Sequence, residues 1–598
     1  MARLIPYPAI ERHAVIGDRR PAARVAADGT LDWLCLPDYD GTIVFGALLD
    51  ANRGGHWRLG PAALWSGAQT YEESTPIVRT RWRTHDYDLE LTDAMAQPQD
   101  DRAAGERIVI RRLVCSRGAV ECAAAFVPAA NFDPVREYDV PEVGQLTLWC
   151  SRRDAHSGQP FDMRAGDELW SVMGSGVDGA WTVARAAALL DGVRSFWRRS
   201  MAALTSAAHG PEVLRSALTI RLLEYGPCGS SVAAPTTSLP ERIGGGWNAD
   251  YRFTWVRDAS LAMATLASLG DIESAGRYLD WLVRFQATSG PPLDVLYTIR
   301  GKPGFPQRER NDVAGYRASK PVRTGNHAYS QQQHDIFGYL ADCVDVYLRH
   351  GGRWRDDVWR LLCRSADFVC AHWKEKGNGI WELDARQHYV SGRVMAWVAI
   401  DRVLAIGTRT GQSMPHAARW QQAAAEIRAD VERNGWSDRL KAFKQTTDGD
   451  ALDASALLIP IMGFLPADDP RVRATIDRIA EHLTIDGCVF RFDPAQLPHV
   501  GPSEMGEFEC AFLPCTFWLA TALAMSDRRQ QAQDVLAAAS RVAGPLGLYA
   551  EAIDPRSWTF AGNTPLLFSH VEHIRAVHAL ARGAEADLQT AQVRRGGR

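Results

Sequence analysis

At 598 residues the chain exceeds the roughly 250–300 that a single hydrophobic core supports, so two domains are the starting expectation. A content of 46% hydrophobic and 23% charged residues is that of a globular protein and excludes wholesale disorder, only the Arg/Gly-rich tail after Ala584 reading as loose. The formal net charge of −4, with Lys and Arg scattered rather than gathered into a stripe, argues against nucleic acid as the main partner.

The opening MARLIPYPAIERHAVIGDRR lacks the continuous apolar run of a signal peptide. From Ala14 to about Val183 the pattern is one of short alternating strands broken by turns, among them TYEESTPIVRTRWRT, YDLELTDAMA, ERIVIRRLVC, VECAAAFVPA and QLTLWCSR. Runs of this kind predict an antiparallel β-sandwich over residues 1–187. LLDGVRSFWRRSMAALTS then reads as a linker helix within 188–208. From residue 209 to 598 the apolar period becomes helical, with about twelve amphipathic helices. Tight connections near Gly270, Gly352, Gln412, Ala467 and Asp527 alternate with long ones at 227–254, 289–330, 377–390, 435–453, 487–506 and 543–568. Up-down pairs joined in this way predict an (α/α)6 toroid with every long loop on one rim, where functional residues concentrate. The alternative, an open helical solenoid, lacks its usual mark of repeated sequence at a fixed period.

The eleven Cys lie singly from Cys35 to Cys515 without a CxxC, which points to reduced thiols in the cytoplasm rather than disulfides or zinc. No segment offers the roughly 18 uninterrupted apolar residues of a membrane span. The 20 Trp stand out, because flat aromatic faces suit ring-shaped ligands, although most are accounted for as core.

Four segments on the expected rim carry chemistry. SLPERIGGGWNADYRFTWVRDAS, from Ser238 to Ser260, sets Trp247, Tyr251, Phe253 and Trp255 beside Asp250, Arg252, Arg257 and Asp258, after three glycines that permit close backbone approach. Flat faces for the C–H side of a sugar and polar forks for its hydroxyls are what such a ligand needs, while a helix-entry salt bridge would equally explain Arg257-Asp258. In GYRASKPVRTGNHAYSQQQHDIFGYL, Gln331, Gln332, Gln333 and Asp335 open a helix, and capping alone would account for Asp335. GIWELDARQHYVSGRVMAW places Glu382 directly after Trp381, and a carboxyl set against indole and apolar neighbours favours its protonated form, as a proton donor requires. GLYAEAIDPRSWTFAGNTPLLFSH holds Glu551, a second carboxyl that could activate water; inverting glycosidases keep their two carboxyls roughly 6.5–9.5 Å apart.

These segments, together with VIGDRRPAARVAADGTLDWLCLPDYD, FECAFLPCTFWLATALA and GNTPLLFSH, resemble glycoside hydrolase family 15, the bacterial glucoamylases and trehalases, over nearly the whole chain. The resemblance implies a β-sandwich, a linker and an (α/α)-barrel catalytic domain, with Glu382 as general acid and Glu551 as general base. It further implies that Arg257 and Asp258 hold the hydroxyls of the cleaved glucose and that Trp255 and Trp381 line the pocket. Tyr251, Gln333 and Glu509 complete the expected substrate-binding set, with no metal and no cofactor. Two departures bear on this. Where bacterial members usually carry Arg-Asn-Trp-Asp-Tyr-Arg, this chain has Trp247-Asn248-Ala249-Asp250-Tyr251-Arg252, and Cys510 stands where a glycine is common after Glu509. The expected activity is inverting, exo-acting release of β-glucose from trehalose or malto- or isomalto-oligosaccharides. The rivals are a disaccharide phosphorylase of the same architecture, for which a base at the water position has no use, and a noncatalytic sugar-binding relative. Oligomeric state, homo-oligomer included, is left open.

Overall fold

The computed structural model describes residues 4–97, 106–156, 158–176, 179–205, 210–287, 290–303, 305–494, 505–507 and 509–596, without the side chains of 156, 205 and 583–596. Nine strands open the chain: β1 (His13–Gly17), β2 (Ala22–Ala26), β3 (Thr30–Leu36), β4 (Thr42–Phe45), β5 (His56–Pro61), β6 (Ala68–Tyr71), β7 (Val78–Arg83), β8 (Tyr87–Met95) and β9 (Arg107–Val127). All their pairings are antiparallel, and shorter strands, including Phe161–Arg164 and Glu168–Ser175, complete the sheet domain. The two runs that read as separate strands in the sequence, 106–115 and 120–129, are one strand. Its first half pairs with β8 and Glu168–Ser175, its second with β5 and Phe161–Arg164, so β9 passes from one sheet of the sandwich to the other. Gly118 makes this continuity possible: it has φ +72°, and a Cβ there would stand 1.7 Å from the Asp86 carbonyl oxygen. Burial alternates along β7, as expected for a strand with one wet face, but β1 to β4 are buried at every position. Their outer face is covered by helices: Ala14, Ile16 and Leu36 share one apolar core with Leu218, Leu222 and Tyr225.

Helix α1 (Val183–Thr205) leads from the sheets to the helices. Then follow α2 (Pro211–Leu223), α3 (Val256–Ser268), α4 (Ile272–Arg284), α5 (Ile336–Arg349), α6 (Asp356–His372), α7 (Val390–Thr410), α8 (Ala417–Asn434), α9 (Leu458–Ile461), α10 (Pro470–His482), α11 (Leu513–Met525), α12 (Arg529–Ser540) and α13 (Leu567–Gly596). α3 packs on α5, α5 on α7, α7 on α9, α9 on α11, α11 on α13, and α13 returns to α3. That closure makes an inner ring and decides against the open solenoid. The sequence explains which helices go where. α11, LPCTFWLATALAM, is buried through almost its whole length and suits the inner ring, whereas outer α10 buries only Val472, Thr475, Ile476 and Ile479, one stripe at helical spacing. Asp469 caps α10 by accepting from the Arg471 N–H, with Pro470 in the first turn.

Long connections lead into the inner helices and short ones lead out, so the long loops gather at the inner helices' N-terminal ends, the predicted rim. The sheet domain is fastened to the first of these loops: the Trp33 indole donates to the Pro235 carbonyl at 2.8 Å, and Arg19 pairs with Glu224 at 2.6 Å. All eleven cysteines are unpaired thiols. No helix among the described residues is long and apolar enough to cross a membrane.

Candidate active site

At this rim lies a cavity of about 1010 Å³, lined by residues from five of the long loops and the first turn of α3. Its floor is built where α3 begins. Arg257 and Asp258 pair at 3.0 Å, both buried, and both line the cavity, so the helix-entry salt bridge and the polar fork are the same feature. Arg257 also donates to the Gln333 side-chain oxygen and the Ile380 carbonyl, each at 3.3 Å. Gln333 therefore stands behind Arg257. It donates in turn to Gln331, which donates to the Glu382 carbonyl at 2.9 Å. The helix expected to open at these glutamines begins later, at Ile336, and Asp335 makes no capping bond through its side chain. Burial pushes the Asp335 carboxyl up to about 6, against the pull of the Arg257 charge.

Glu382 adopts φ +59°, a left-handed conformation unusual for a residue with a side chain and common where function holds a backbone in place. Its carboxyl, 21% exposed, accepts the Trp255 indole N–H at 2.7 Å and faces Arg257 at 3.4 Å. The setting expected from its chain neighbour is corrected here. Trp381 lines the cavity, as Trp255 does, but it turns from the Glu382 carboxyl, donates its N–H to Asp453 at 2.9 Å and packs against Phe512 and Trp518. The indole that meets Glu382 is that of Trp255, and it does so through a polar edge beside a guanidinium rather than through an apolar face.

Glu551 is 1% exposed. It accepts from the Tyr251 hydroxyl at 2.6 Å and from the Asn563 backbone N–H at 3.0 Å. Burial raises its carboxyl to about 7, with those two hydrogen bonds opposing the rise. Gly562, at φ +74°, leaves it room, since a Cβ there would stand 2.4 Å from Glu551 Oε2. The Tyr251 ring meets Trp255 edge-on with centroids 5.5 Å apart. Tyr251, Trp255 and Glu382 line the cavity, and the buried Glu551 is joined to that wall from behind through the Tyr251 hydroxyl.

Two residues that the sequence did not single out belong to this wall. Glu241 and Arg491 are buried and line the cavity, paired at 2.5 Å. Arg491 also binds Glu509 through Nε at 2.7 Å, which sets Glu509 behind Arg491. Burial drives the Glu241 carboxyl well above its ordinary value, Arg491 opposing and the neighbouring Glu551 and Glu509 charges adding to it. Glu241 sits in a motif already quoted, but Arg491 stands alone in VFRFDP and offered no signal. Three residues expected on the sugar-facing surface are elsewhere. Phe253 stacks on Phe305 at 4.1 Å, while Asp250 and Arg252 pair at 2.7 Å and turn toward the sheet domain, where Arg252 donates to the Gly41 carbonyl. Of the glycines, Gly245 shows the expected close approach, since a Cβ there would stand 2.9 Å from the Arg242 carbonyl oxygen, whereas Gly244 is required by its φ of +80°, with nothing within 4 Å of where its Cβ would be.

The model of Glycosyl hydrolases family 15 matches residues 208–542, and that of the trehalase-like N-terminal region matches residues 6–180. The trehalase of Mycolicibacterium smegmatis is 34% identical over 97% of this chain and 93% of its own length. That of Mycobacterium tuberculosis is 32% identical over 97% and 91%. The solved structure of a bacterial glucoamylase complexed with acarbose superposes with a TM-score of 0.68, covering 97% of this chain and 95% of its own at 14% identity, a likeness of fold.

Proposed function

Because the chain belongs to glycosyl hydrolases family 15 and is a glycoside hydrolase, we propose that it cleaves α,α-trehalose with inversion, using Glu382 as general acid and Glu551 as general base. The observation that carries this reading is the chain of contacts Glu551–Tyr251–Trp255–Glu382, whose last three members line one cavity. Relatives named trehalase that match along nearly the full length, and a trehalase-like N-terminal region, support trehalose as the substrate.

The reaction runs as follows. One glucose unit enters the cavity floor, where Arg257 and Asp258 hold its hydroxyls. Glu382 gives its proton to the glycosidic oxygen as the bond from that oxygen to C1 breaks through an oxocarbenium-like transition state. Water adds to C1 from the opposite face, and its proton passes to Glu551, held in place by the Tyr251 hydroxyl. The leaving sugar carries the proton lost by Glu382, the new β-glucose carries the water oxygen, and exchange with solvent resets both carboxyls.

A panel of trehalose, maltose and isomaltose, assayed with the unmodified enzyme and with Glu382→Gln and Glu551→Gln, tests the reading. Trehalose should be the preferred substrate, and each variant should lose activity by roughly 10²–10⁴-fold, the usual worth of a general acid or base. Wild-type-like turnover in either variant would remove that residue from its role, and release of glucose 1-phosphate in the presence of phosphate would favour a phosphorylase.

A further inference from the structure

Burial grades the cavity from floor to rim. Arg257 and Asp258 are buried at the floor, whereas Trp247, His327 and Asp384, which line the same cavity, are exposed, Trp247 at 36%. A glucose unit whose hydroxyls meet Arg257 and Asp258, with its C1 between the two carboxyls, directs its glycosidic oxygen toward the rim. The sugar that leaves must therefore lie among the rim residues. Trp247 is the large aromatic side chain there, and its backbone is held on both sides: its carbonyl accepts from the Glu241 N–H at 3.2 Å, and the preceding Gly246 carbonyl accepts from Arg323 at 2.8 Å. The Arg491 guanidinium lies 5.3 Å from the centre of its ring, itself fixed by ion pairs to Glu241 and Glu509. From two other loops, His327 Nε2 and Asp384 Oδ1 approach to 3.8 Å, giving the rim a polar edge. A flat, pre-positioned apolar face with a donor and an acceptor lining the same cavity matches a pyranose ring, whose C–H face stacks while its rim of hydroxyls bonds.

Building on the hydrolysis proposed above, we propose that Trp247 is the platform of the leaving-sugar subsite, with His327 and Asp384 as its polar edge, and that it sets the preference for a sugar over other leaving groups. The test compares trehalose with α-glucosyl fluoride, which fills the floor and carries no second sugar. In Trp247→Ala the ratio of kcat/KM for trehalose to that for the fluoride should fall about tenfold, the effect of roughly 1.4 kcal/mol of lost contact, and Trp247→Phe should recover most of it. An unchanged ratio in Trp247→Ala overturns the subsite, whether both rates hold or both fall together; the second pattern would mean that Trp247 serves only to seat Arg491. A wild-type chain that hydrolyses neither compound would overturn the hydrolysis itself and the subsite with it. An unchanged ratio in a chain active on both would overturn the subsite alone.

Discussion

Glu551 is a carboxyl held where ionisation is costly. Its raised value of about 7 comes first from burial, and the Tyr251 hydroxyl and the Asn563 N–H limit the rise by bonding to the charged form. A general base acts only when ionised, so kcat/KM should climb as pH rises through about 7 and be lost below it. Removing the Tyr251 hydroxyl removes a bond that favours the anion, and the pH profile of Tyr251→Phe should therefore show its acid limb at higher pH than in the unmodified enzyme. An acid limb that stays in place would separate it from Glu551. The same rise sets a sign for stability: the folded state binds this proton more tightly than the unfolded chain, whose ordinary value is 4.5. Glu551 thus subtracts stability as pH climbs from there to about 7. At this scale the sequence was readable where chemistry-bearing residues stand together, as in Trp255, Arg257 and Asp258. It was not readable for the pair of Glu241 and Arg491, which lie 250 positions apart, nor for the parting of Trp381 and Glu382, which a left-handed backbone at Glu382 accompanies.

Among elements, the arrangement follows from which connections are long. The inner helices α3, α7, α11 and α13 each start one residue after a cavity-lining side chain, respectively Trp255, Tyr389, Phe512 and Leu566. The positive ends of their dipoles therefore point toward the cavity and ease the proximity of several acidic groups, while the first N–H of each helix is taken by a loop carbonyl, of Val295, Gln445, Glu551 and Ala233 respectively. The outer helices serve a different end. Asp469→Ala should lower stability by about 1 kcal/mol through loss of the α10 cap while leaving kcat for trehalose as it was, measured by denaturant unfolding and initial rates. A comparable loss of kcat would show that the outer ring governs the site. The twelve helical segments and their alternating connections were legible because an outer helix writes its single buried stripe into the sequence. The strands were less so: β1 to β4 are covered on both faces and lose the two-residue period, and β9 hides its continuity behind a glycine that reads as a turn.

The whole molecule makes the site a product of both domains. The apolar core of the sheets is continuous with that of the toroid, and a second cluster joins Trp33, Cys35 and Ile43 to Leu239, Val313 and Phe517. The loop that bears Glu241, Trp247 and Tyr251 is anchored to the sheet domain at both ends, through Trp33 to Pro235 and through Arg252 to Gly41. Tyr251, on this anchored loop, holds the proposed base Glu551 through its hydroxyl. The proposed division of acid and base between Glu382 and Glu551 has a stereochemical consequence. Followed by proton NMR from the first moments of trehalose hydrolysis, before mutarotation, the account predicts α- and β-glucose appearing in equal amounts, the β-anomer from the attacked unit and the α-anomer from the one that leaves. Initial release of α-glucose alone would contradict it.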